Sequence, residues 1–75
     1  MNILNKKQYL KLYEKLNHIK EDDIIFIHHF ITGDLIEVIV KETKYNELLV
    51  SIPENSDYYG QPPFYIKKHE VVGIK

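Results

Sequence analysis

Four histidines and a cluster of tyrosines are the residues of this chain with the most chemistry to offer. His28 and His29 are adjacent within an extended apolar run, so on a strand their side chains leave opposite faces and cannot chelate one ion together. Two histidines on one strand face need an i, i+2 spacing, which the chain lacks, and His69-Glu70 can join them only through the tertiary fold. The expected role of the histidines is structural, with no metal site and no cofactor. Ser51 and Ser56 are the only serines and lie in no nucleophile motif. Neither a phosphate-cradling glycine loop nor His-Glu-x-x-His is present, and the absence of cysteine excludes thiol catalysis. A non-enzymatic protein is expected.

The stretch Pro53 to Tyr65 offers more. Tyr58, Tyr59, Gln61, Phe64 and Tyr65 surround Gly60 and the stiff pair Pro62-Pro63, with Glu54 and Asp57 nearby. Tyrosines on a stiffened loop give a large contact area at low entropic cost, which suits a protein interface. These five residues are the expected partner-binding site. A basic patch of Lys67 and Lys68 with Lys7 and Lys11 is the alternative, using Tyr58 or Tyr65 to stack on bases. Nucleic acid is the less favoured partner, because the net charge is −1 and there is no arginine for bidentate contacts to guanine or phosphate.

These side chains need a scaffold, and Ile24 to Ile31 is the run around which it must be built. Both parities of that run are apolar, so a strand here requires cover on two faces. Ahead of it, Tyr9, Leu12, Tyr13, Leu16 and Ile19 recur at helical spacing, which predicts an amphipathic helix over 5–20 with Asn5 as N-cap. Beyond it, Thr32-Gly33-Asp34 predicts a tight turn. Leu35 to Glu42 predicts a strand with Ile36, Val38 and Val40 inward, and Glu47 to Ile52 one with Leu48, Val50 and Ile52 inward. Pro53 ends that strand, and a loop of turn-favouring residues runs to Pro63. Phe64 to Ile66 is then a short strand, Lys67 to Glu70 one 3₁₀ turn, and Val71 to Ile74 the closing strand.

From Asp22 to Ile74 this rhythm resembles an SH3-like small β-barrel, most closely at the end, where an aromatic strand, a charged turn and Val-Val-Gly-Ile follow each other. The resemblance implies the fold alone. Peptide-binding SH3 domains carry an Ala-Leu-Tyr-Asp-Tyr-like segment and a tryptophan, and this chain has neither alanine nor tryptophan. KOW modules place a Gly-x-x-Gly approach on the second strand, and Leu35 to Glu42 holds no glycine. In such a barrel Tyr59 and Phe64 could equally fold back to cap an open end.

The expectation is thus one α+β domain over 1–75, a helix over 5–20 packed on a five-stranded SH3-like barrel or bent antiparallel sheet over 22–75. No segment is long and apolar enough for a signal peptide or a membrane span, so a cytoplasmic protein is expected. Usage rich in Ile, Asn and Lys with no Arg matches an AT-rich coding source. Taken together, these features predict a small phage or mobile-element protein that binds and modulates a host protein through the Tyr-rich loop. A homodimer through a strand edge is a further expectation.

Overall fold

The computed structural model describes residues 16–75. Five antiparallel strands form one sheet in the order β4-β3-β2-β1-β5. They are β1 (Ile24–His28), β2 (Leu35–Thr43), β3 (Glu47–Ser51), β4 (Phe64–Lys67) and β5 (Gly73–Ile74), with a 3₁₀ turn at Lys68–Glu70. Register follows apolar matching. Ile25 pairs with Val38 and Ile27 with Ile36 across β1 and β2, Val40 with Val50 across β2 and β3, and Leu48 with Ile66 across β3 and β4. Directly paired residues share a face, so all eight point to one side, where they form a single buried cluster with Ile19, Ile52 and Val71. The inward sets Ile36, Val38, Val40 and Leu48, Val50, Ile52 are buried as their alternation predicts.

One residue bends the longest strand. Between Val40 and Glu42 the register of β2 against β3 shifts, leaving Lys41 as the extra residue of a β-bulge. A bulge inverts side-chain parity beyond it and sharpens the local twist, which curls the sheet so that side chains of one face meet each other. Residues from β1, β2 and β4 consequently line a common groove although β3 separates β4 from the others in the ladder.

The expected α+β class is corrected. Among the described residues the elements are five strands and one 3₁₀ turn, an all-β arrangement. Positions 5–15 of the expected helix lie outside the described residues, and of positions 16–20 only Leu16 is helical, the chain running through turn and irregular structure from 17 to 20. Ile19 is buried and Leu16 packs against the core. The chain then turns at Lys20–Asp23, where the Lys20 amide donates to the Asp23 carboxylate at 3.0 Å. No helix among the described residues is long and apolar enough to cross a membrane.

β1 is shorter than its apolar run. It stops at His28, and Phe30 and Ile31 stand exposed in the turn that follows. The opposite face of β1 is only half-covered. Phe26 is half-buried and lies over Gly73, where a Cβ would meet its ring at 3.2 Å. The closing strand is likewise shorter than expected. Val71 ends the 3₁₀ turn by donating to the Lys68 carbonyl and is buried, Val72 donates to the Phe26 carbonyl, and only Gly73–Ile74 pair as β5.

β4 and β5 are the two edges of the sheet. On β4 the Lys68 amide donates inward to Asn46, so the Lys67 amide faces outward, where the Glu70 carboxylate accepts it at 2.6 Å. That cap removes one free donor from an edge otherwise open to strand pairing.

Candidate functional site

The turn between β1 and β2 is built by its two histidines. His29 is buried, with 7% of its surface exposed, and its Nδ1 accepts the amides of Ile31 and Thr32, each at 3.3 Å. A side-chain acceptor that captures the amides two and three residues ahead folds the chain back as an Asx turn does. The Asp34 carbonyl accepts the His29 amide at 2.7 Å and the His29 carbonyl accepts the Gly33 amide at 2.8 Å, which closes the turn. Gly33 sits at φ +75, a region open to glycine at no steric cost. His28 grips the same turn from outside, its Nδ1 donating to the Gly33 carbonyl at 2.9 Å.

Tyr58 locks the β3–β4 loop to this turn. Its hydroxyl donates to the Asp34 carboxylate, and its ring lies 4.7 Å from the His29 imidazole at 35°. The bond from Tyr58, then one from Thr32, holds the Asp34 carboxyl below its ordinary range; the same bond raises the Tyr58 phenol. Within the loop the Tyr58 amide donates to Ser56 Oγ at 3.2 Å. Tyr58 is half-buried and packs against the core, so it holds the site together from behind.

The turn and the loop leave an apolar groove of about 450 Å³ between them. Phe30 borders one side and Pro62, Pro63 and Phe64 the other, over Ile27, Ile36 and Ile66, while Tyr65 stands at the rim because its pairing with Leu49 puts its ring on the other face of β4. Phe30 is 72% exposed, its ring stacked on the His29 imidazole at 5.0 Å and 23°. Lys44 Nζ lies 4.7 Å from the Tyr65 ring centroid and occupies one of its faces.

The five expected loop residues therefore divide. Phe64, Tyr65 and Gln61 line this groove. Tyr59 is exposed on a second, more polar depression beside Ile39, Lys41 and Pro53, which Gln61 also borders. Tyr58 faces Asp34. Phe30 was missed from the expected site because its apolar type placed it inside a strand; the cue to a turn is the polar run Thr32-Gly33-Asp34 just beyond it. Of the expected basic patch, Lys7 and Lys11 lie outside the described residues. Lys67 pairs with Glu47 at 3.3 Å and Lys68 is half-buried, with Glu70 beside them. With Lys67 paired and Lys68 half-buried, the two lysines do not form an open basic patch. No group of three or more His, Asp or Glu able to hold a metal ion occurs among the described residues.

The chain matches no protein-family model, no curated protein and no solved structure.

Proposed function

We propose that this protein is a non-enzymatic interaction module that takes an apolar side chain of a protein partner into the groove between Phe30 and the Pro62–Tyr65 segment. One observation carries the reading: a large aromatic side chain stands 72% exposed on the wall of an apolar groove whose opposite wall is stiffened by two prolines. Apolar contacts on a rigid rim lose little conformational freedom on binding, and aromatic anchors of this kind supply most of an interface's energy. His28 and His29 support a non-catalytic role, since the Nδ1 of each is already engaged with backbone. The SH3-like resemblance transfers no binding residue and carries no weight here.

The expected contact set shifts accordingly. Phe30, Phe64 and Gln61 form the contact surface, Tyr65 stands at its rim, Tyr58 supports it from behind, and Tyr59 lies outside it. Nucleic acid is not favoured, because Lys67 is paired with Glu47, Lys68 is half-buried and the net charge is −1. A second copy could pair along the β4 or β5 edge without occupying the groove.

The test compares immobilised wild type with Phe30→Ala, Tyr59→Ala and Tyr45→Ala in capture from an extract of the source cells. Tyr45 is 90% exposed in the β2–β3 turn, away from the groove. A partner held by wild type, Tyr59→Ala and Tyr45→Ala but lost with Phe30→Ala is the expected result. Equal retention by Phe30→Ala would refute the assignment.

A further inference from the structure

Two adjacent histidines hold one turn through the same ring atom used in opposite senses. His28 Nδ1 faces the Gly33 carbonyl, which can only accept, so this nitrogen carries a proton. His29 Nδ1 faces the amides of Ile31 and Thr32, which can only donate, so this nitrogen carries a lone pair. A proton added to His28 goes to its other nitrogen and leaves its bond intact. A proton added to His29 must go to Nδ1 if Nε2 already holds one, and it converts an acceptor of two amides into a donor facing them.

We propose that His29 is a proton-operated catch on the β1–β2 turn: neutral, it holds the amides of Ile31 and Thr32, and protonated, it releases them while His28 keeps its grip on Gly33. The titratable groups around it are few among the described residues. Asp34 on the same turn interacts with its charge, Tyr58 stacks on it from the β3–β4 loop with Asp57 alongside, Glu70 borders the same groove from the 3₁₀ turn, and His28 precedes it on β1. Asp34, on the same turn, offers the released ring a carboxylate as a new partner while remaining bonded to Tyr58. The residues set free are those flanking the exposed Phe30, so the catch reshapes one wall of the groove and leaves the proline wall in place. Its operation does not depend on the groove having a partner; only its consequence for binding rests on that reading.

The test needs the free protein alone. Long-range ¹H–¹⁵N spectra at neutral pH are expected to show the His29 proton on Nε2 and the His28 proton on Nδ1. On acidification the amide protection of Ile31 and Thr32, corrected for intrinsic exchange, falls about tenfold in step with the His29 signals, while that of Gly33, on the His29 carbonyl, falls less. In His29→Asn, whose side-chain oxygen can accept the same two amides without titrating, protection at 31 and 32 stays constant over that range. Three results each overturn the proposal: a neutral-pH proton on His29 Nδ1, amides at 31 and 32 that ignore the His29 titration, or an undiminished acid response in His29→Asn.

Discussion

Replacing Phe30 by alanine separates folding from surface chemistry. Phe30 is 72% exposed, so little more than a quarter of its surface is withdrawn from solvent. Full burial of such a side chain contributes about 1.5–3 kcal/mol, and a quarter of that is roughly 0.4–0.8 kcal/mol. The stack on His29 adds at most about 1 kcal/mol for a pair in partial contact with solvent. Phe30→Ala should therefore cost about 1 kcal/mol and no more than about 1.8 kcal/mol. Leu48 provides the contrast, because it is fully buried at the centre of the sheet. Leu48→Ala removes that packing and should cost about 2–5 kcal/mol, a large share of what a domain of this size possesses. Urea unfolding followed by tyrosine fluorescence measures both, and the slope should stay unchanged if only stability moves. A loss above about 2 kcal/mol for Phe30→Ala would mean that its ring is core and the groove closed, which would refute the reasoning.

Two other perturbations address the turn that positions Phe30. Because Tyr58 lowers the Asp34 carboxyl, ionised Asp34 contributes stability that is present above its ordinary value of 3.8 and lost as pH falls through the lower folded value. Tyr58→Phe removes that contribution, so the variant should be less stable than wild type at neutral pH, with the gap in urea midpoint narrowing on acidification below that value. A gap of constant size would contradict the link. Gly33→Ala places a Cβ in open space at φ +75, so only backbone strain opposes it. It should cost about 1 kcal/mol, while Gly33→Asn, which tolerates this region better, should recover much of the loss; equal losses would deny that conformation is the cause.

Much of the sheet is legible in the residue pattern, because strict alternation has a single physical reading. Ile36, Val38 and Val40 against Leu48, Val50 and Ile52 give the two strands of the hairpin. Three features elude that pattern for identifiable reasons. The bulge at Lys41 depends on the pairing of β2 with β3, which no local alternation encodes. The end of β1 is set by a histidine nitrogen acting as an Asx-like acceptor, a role the residue type does not advertise. The helical periodicity of 9, 12, 13, 16 and 19 implied an α+β class, whereas the core among the described residues is built mainly from the strands, with Ile19 buried in it and Leu16 packed against it from that series. The candidate site was half legible. Phe64 and Tyr65 were expected there, while Phe30 and the supporting role of Tyr58 follow only from the curl that brings the β1–β2 turn against the long loop.

The groove assignment is tested most directly by photo-crosslinking from within it. A benzoylphenylalanine in place of Phe64, which borders the groove on the same face of β4 as Ile66, and one in place of Tyr45, exposed but distant, are irradiated in extract of the source cells. The account predicts a discrete adduct from position 64 that Phe30→Ala abolishes, and none from position 45. Adducts from position 45 alone, or an adduct at 64 that persists in Phe30→Ala, would contradict it.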